Sequence, residues 1–239
     1  MVKPEGGIIT SPDDIRLASA HGQWILAFHS ITDGTSKMVL ETRDNPISLA
    51  MFSPDGLVFA SVTTDIIHIW EISTGQLLKE SPKHDTAITF MVFSPDSTKI
   101  AFSSSTHHSI WSVKDNSFVH FDSKVDDIIS AAFFPNGARL VTRSVRGFQI
   151  WDTTSSTPTL EETLPDYKIF NDLQVGGQPL SSDATRMVTG RHIWDLIDLI
   201  NYRKLVLLDS QAIVAIFTSD NRRVVYTSGR YIHLYCTRQ

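Results

Sequence analysis

A short pattern returns six times along the chain. "FSPDGLVFASV" begins at Phe52, "FSPDSTKIAFS" at Phe93, "FFPNGARLVTR" at Phe133 and "LSSDATRMVTG" at Leu180. Two looser copies, "TSPDDIRLASA" and "FTSDNRRVVYT", begin at Thr10 and Phe217. The serine slot is filled in turn by Ser11, Ser53, Ser94, Phe134, Ser181 and Thr218, at steps of 42, 41, 40, 47 and 37 residues. An aromatic keeps step with it. Phe28, Trp70, Trp111, Trp151 and Tyr235 each stand 17 residues after their slot. Trp194 follows Ser181 by 13, so the fifth copy carries a four-residue deletion.

Each copy reads as strands. "ITFMVF" (Ile88 to Phe93), "KIAFS" (Lys99 to Ser103) and "SIWSV" (Ser109 to Val113) are short, rich in β-branched and aromatic residues, and bounded by Ser, Pro, Asp and Gly. A fourth strand follows the aromatic, as in "QLLKE" (Gln76 to Glu80) and "SFVHF" (Ser117 to Phe121). Four strands in a period of about 40–45 residues match one blade of a β-propeller. Helical solenoids of this period need a 3.6-residue hydrophobic repeat, and these segments lack one. The predicted fold is therefore all-β. It is a single β-propeller over residues 1–239 with about six four-stranded antiparallel blades, near 1–43, 44–84, 85–125, 126–166, 167–209 and 210–239. The last blade ends at "YIHLYCTRQ", right after its third strand, and so lacks its outer strand. It stays three-stranded, belongs to a larger, seven-bladed ring, or is completed by a partner or by self-association.

The bulk properties narrow the function. A net charge of -5 argues against nucleic acid as the partner and supplies no polybasic patch for a membrane surface. Cys236 is the only cysteine, which excludes an internal disulfide and a cysteine-rich zinc site. The first residues, "MVKPEGGIIT", lack the apolar core of a secretory signal, and no run of about 18 apolar residues occurs. These features predict a soluble intracellular chain, cytoplasmic rather than nuclear.

The repeat resembles the WD-repeat β-propellers. The resemblance rests on the "FSPDG" and "FSPDS" turns, "IWE", "IWS" and the pairs Trp151-Asp152 and Trp194-Asp195. It covers nearly the whole chain. In tone it is similar to the degenerate WD repeats of filamentous and mushroom-forming fungi, often fused to a nucleotide-binding switch module. No G-x-x-x-x-G-K-[ST] loop is present. The resemblance implies a hydrogen-bonded set of a His before the first strand, a Ser or Thr, a turn Asp and the Trp. His84 matches the His slot of the third copy, whereas Arg43, Lys124, Asn171 and Leu208 fill the others. The Asp slot holds Thr64, Ser105, Val145 and Gly229, with Asp65 one residue off. Most of these sets are therefore eroded.

No chemistry-bearing motif stands out. G-x-S-x-G, H-E-x-x-H and a phosphate-cradling loop are absent. His68, His192 and His233 each lie two residues before their aromatic, positions that a ring rotates apart, so they read as sheet histidines rather than metal ligands. Cys236 reads as a small buried hydrophobe. Asp44, Asp85, Asp127, Asp166 and Asp209 recur near the inter-blade connections, which share a face with the second-to-third-strand turns. Those turns carry His107, His108, Arg146, Arg191 and Arg230. This charged loop face is the predicted partner surface. Its bland alternative is solubility together with local turn bonding by Asp.

The first functional reading is a non-catalytic scaffold or recognition module that binds other proteins or peptides, with no catalytic residue, cofactor or metal. The second is a sensor or regulatory propeller fragment related to fungal nucleotide-binding switch proteins of the NACHT type. The third is a propeller accessory to a hydrolase. The Trp-Asp pairs and the lack of an export signal argue against the third.

Overall fold

The computed structural model describes residues 8–13, 15–21, 25–41, 46–104, 107–121, 128, 130–134, 136–144, 147–165, 176–178, 181, 186–189, 192–195, 204–207, 214–218, 222–228 and 230–236. These contain strands and turns, and no helix long and apolar enough to cross a membrane. The chain divides into two compact units, residues 1–129 and 130–239.

The first unit holds three four-stranded antiparallel sheets, each following chain order. The first sheet comprises β1 (Ile8–Thr10), β2 (Arg16–His21), β3 (Ile25–Ser30) and β4 (Ser36–Glu41). The second comprises β5 (Ile47–Phe52), β6 (Val58–Thr63), β7 (Ile66–Glu71) and β8 (Leu77–Glu80). The third comprises β9 (Ile88–Phe93), β10 (Lys99–Ser104), β11 (His108–Ser112) and β12 (Phe118–Phe121). A lone four-stranded sheet exposes two apolar faces, so each sheet takes its core from its neighbours. Phe28 of the first sheet meets Phe52 and Phe59 of the second edge-on, with ring centroids 5.9 and 4.7 Å away. Leu49, Val62, Ile67 and Ile69 of the second pack with Ile88, Met91, Phe93, Ile100, Phe102 and Trp111 of the third. The first strands of the second and third sheets, β5 and β9, are buried at both parities, which is why "SLAMF" and "AITFMVF" lack a clean polar alternation.

The recurring Ser-Pro-Asp turn has a defined job. Ser53 Oγ donates to Asp55 Oδ1 and accepts from the backbone N of Val58 at 3.1 Å. Ser94 repeats this with Asp96 and Lys99, and Ser11 with Asp13 and Arg16. Ser181 and Thr218 accept from the backbone N of Arg186 and Arg223 at 2.9 and 3.1 Å. The hydroxyl thus closes the hairpin from inside. Ser11, Ser53, Ser94 and Ser181 are at most 1% exposed, so they need that satisfaction. The third residue after the slot adopts the left-handed conformation, with φ of 69° at Gly56, 61° at Ser97 and 66° at Gly137. Phe134 breaks the rule: its backbone N still donates to Arg139 O at 2.8 Å, and its ring carries the Arg139 guanidinium at 4.3 Å.

The second unit departs from strict repetition. β13 (Ser130–Phe133), β14 (Arg139–Ser144), β15 (Gly147–Asp152) and β16 (Thr159–Pro165) form a regular four-stranded sheet. The next sheet has three strands, β18 (Arg186–Thr189), β19 (His192–Asp195) and β20 (Lys204–Leu207). The segment in its first-strand position, β17 (Gly176–Gln178), instead pairs in parallel with β21 (Val214–Phe217), which continues into β22 (Arg223–Ser228) and β23 (Tyr231–Cys236). The fifth copy therefore has three strands rather than the expected four. Gly176 and Gly177 carry no side chain to hold β17 off a neighbouring backbone. The four-residue deletion is taken from the strands: β18 and β19 make four cross-strand pairs where β6 and β7 make six. The final sheet has four strands where three were expected, its fourth being β17 beside β21, and among the described residues β23 stands at its other edge.

Candidate interaction face

Antiparallel chain order places the β6–β7 and β10–β11 turns, with the β8–β9 connection, at one end of the strands of the first unit. Three contacts bind this end together. His84 N donates to Asp65 O at 3.0 Å, Ile88 N donates to Thr64 O at 2.8 Å, and Lys83 Nζ lies 3.4 Å from Asp65 Oδ2. Asp65 thus meets the His84 segment through its backbone carbonyl and through Lys83.

Three histidines gather here. The His107 and His120 rings are 6.0 Å apart, and Ser109 Oγ is 2.7 Å from His120 Nδ1. His84 lies against the Phe102 ring at 4.8 Å, and its Nε2 is buried without a hydrogen-bond partner. Burial, reinforced by the charges of His120 and His107, holds the His84 imidazole below its usual range, against the pull of Asp65 and Asp85. These side chains do not form a metal-binding set among the described residues.

The predicted partner residues fare differently. Asp85 and His107 are exposed on this end, and Arg230 is exposed in the β22–β23 turn of the second unit. His108 requires correction: it is 8% exposed, with Nδ1 2.8 Å from Ser103 Oγ and its ring 5.8 Å from Phe121. His107 lies in the turn and is exposed, whereas His108 opens β11 and is buried. Asp44, Asp127, Arg146, Asp166 and Arg191 lie outside the described residues. Cys236 also requires correction, being exposed at the end of β23 rather than buried. The sequence reading missed His120. Its signal was the strand register, which sets it opposite Ser109 and beside the β10–β11 turn.

Each repeat aromatic lies in the second half of its own sheet's third strand, away from the second-to-third-strand turn. Trp70 Nε1 donates to Ser61 Oγ at 2.9 Å and Trp151 Nε1 to Thr142 Oγ1 at 3.0 Å, each nine residues upstream. Phe102 occupies that position in the third sheet, so Trp111 Nε1 turns to Asn116 Oδ1 at 3.0 Å while its ring stacks on Phe118 at 5.4 Å. Phe28 is buried and Tyr235 half-buried in the same slot, and Trp194 lies at the equivalent register position on β19. His68 is a sheet residue, with Nε2 3.3 Å from Glu80 and its ring stacked on Trp70.

At the other end of the strands, a cleft of about 320 Å³ opens between the β3–β4 and β7–β8 turns, lined by Arg16, His29, Ser30, Asp33, Ile72 and Thr74 among others. Asp33 Oδ1 is already engaged by the backbone N and hydroxyl of Thr35, and Arg16 Nη1 by Gly56 O. No protein-family model matches the chain, and no curated protein matches it.

Proposed function

We propose that this chain is a non-catalytic protein-interaction module, its repeated sheets being the blades of a WD-repeat-like β-propeller of about six blades. The observation that supports this most is the recurrence of one sheet: a hydroxyl turn in five of the six copies, an aromatic slot in all six and the same strand order in the first four. Such a framework presents loops on rigid supports, a common arrangement for recognition surfaces. The face bearing Asp85, His107 and His120 is the proposed contact surface for a protein or peptide. Its mixed acidic and imidazole character suits a polar partner patch better than nucleic acid or a membrane surface. We place the module in the cytoplasm.

The test is comparative affinity capture under native conditions. Partners retained by wild type should be lost from the double variant Asp85→Lys/His107→Glu. They should persist with Leu57→Ser, a surface change at the other end of the strands. Equal retention by both variants would refute this assignment of the face. Low-resolution electron microscopy of the purified chain checks the architecture, with a ring-shaped particle as the expected image.

A further inference from the structure

In five sheets the strand bearing the aromatic is covered on its outer side by an antiparallel strand: β4 on β3, β8 on β7, β12 on β11, β16 on β15 and β20 on β19. Among the described residues, β23 has no such neighbour. Its side chains show the consequence. Tyr231 is 73% exposed, Ile232 77% and Leu234 60%, an apolar display on an open edge.

The covering strands share one regularity, which concerns what faces the aromatic. Met38 stands opposite Phe28, Leu77 opposite Trp70, Phe118 opposite Trp111 and Leu160 opposite Trp151; Lys204, opposite Trp194, is the exception. One covering strand, β16, also carries a charge pair. Arg139 opens β14 five residues after its turn slot, and its Nη1 lies 4.0 Å from Glu161 of the covering strand. Arg223 opens β22 five residues after its own slot, pairs with Cys236 as Arg139 pairs with Asp152, and is exposed. Arg230 is exposed at the far end of β23. The open edge is therefore apolar along its length and basic at both ends.

We propose that β23 takes up an extended segment of a partner protein as an added antiparallel strand. An apolar side chain of that segment packs against Tyr235, and an acidic one beside it faces Arg223. The backbone of β23 supplies main-chain hydrogen bonds, and Tyr235 and Arg223 supply selectivity. This deepens the interaction reading above and rests on it. A second copy of the chain fits less well. Antiparallel pairing of β23 with its own copy lines up Arg223 and Arg230 of both molecules along one seam, where like charges oppose association.

The probe is a fluorescein-labelled peptide with the sequence of Thr159–Pro165, TLEETLP, which is itself a covering strand. It is titrated into the full chain and followed by anisotropy. Saturable binding is expected. Arg223→Glu should weaken it roughly threefold or more, the scale of a cross-strand charge pair. A peptide with Lys in place of Glu161 should regain binding to that variant. Leu234→Lys should reduce binding to both peptides. All altered side chains are exposed, and circular dichroism and melting curves matching wild type confirm that the variants fold. Absent binding at millimolar peptide, or binding indifferent to Arg223→Glu and Leu234→Lys, overturns the proposal. A concentration-dependent dimer in light scattering that Leu234→Lys dissolves also overturns it and assigns the edge to a second copy. If partners still depend on His107 while β23 binds no peptide, this inference fails and the interaction reading survives.

Discussion

Trp111 makes clear how one residue's environment sets its worth. The ring is 0% exposed, stacked on Phe118 and tied through Nε1 to Asn116. Trp111→Ala should cost about 3–5 kcal/mol of stability in urea denaturation, the range for removing a fully buried large aromatic. Trp70 is only half-buried, so Trp70→Ala should cost distinctly less in the same experiment. Asp115 is a different case, being fully exposed yet held by hydroxyl hydrogen bonds from Ser112 and Ser117 and by the backbone N of Ser117, which lower its carboxyl to about 2. Its contribution to stability is therefore complete above pH 3.8 and is lost as pH falls through about 2. An NMR titration of the Asp115 side chain should show a midpoint well below that of an unbonded aspartate, and Ser117→Ala should raise it.

At the scale of the element, the hydroxyl turn is the unit that repeats, and neighbouring turns are linked. Asp55 N donates to Ser97 Oγ at 3.1 Å, joining equivalent turns of the second and third sheets. Arg16 reaches Gly56 O from the first sheet. Ser97 carries this link at φ 61°, a conformation that disfavours a side chain. Ser97→Ala keeps the strain and loses the bond, whereas Ser97→Gly loses the bond but relieves the strain. Ser97→Ala should therefore be the more destabilising of the two, by about 1 kcal/mol, in chemical denaturation. An outcome with Gly below Ala would mean that the turn is not strained. Ser53→Ala should cost about 1–3 kcal/mol, because the backbone N of Val58 loses its acceptor inside a closed hairpin.

For the molecule as a whole, two half-buried histidines set the response to mild acid. Burial lowers His68 despite Glu80, and burial with His120 lowers His84. Both folded values lie below the ordinary 6.5, so folding favours the neutral rings. Their contribution is complete above pH 6.5 and is lost as pH falls through the depressed values. Thermal melts should therefore shift downward below pH 6.5, and the double variant His68→Gln/His84→Gln should flatten that slope. An unchanged slope would show that other groups govern it.

The strands of the first four copies were legible in the residues themselves. Ile88–Phe93 was placed to the residue, and the hairpins around Trp70, Trp111 and Trp151 follow from a turn and an aromatic in step. Local chemistry suffices there, because a Ser-Pro-Asp turn and β-branched flanks specify a hairpin without help from distant residues. Three features were not legible. The exchange of β17 from the fifth sheet to β21 depends on which backbone lies close enough to pair, and Gly176-Gly177 only permits it. The burial of His108 beside the exposed His107 depends on strand register, and the approach of His107 to His120 depends on which residues the β11–β12 pairing sets side by side. The sequence by itself determined the all-β repeat, its period and its turns, because those interactions are short in range. Only the tertiary structure decided strand partnership in the fifth and sixth copies and the company kept by His84, because each depends on contacts between residues far apart in the chain.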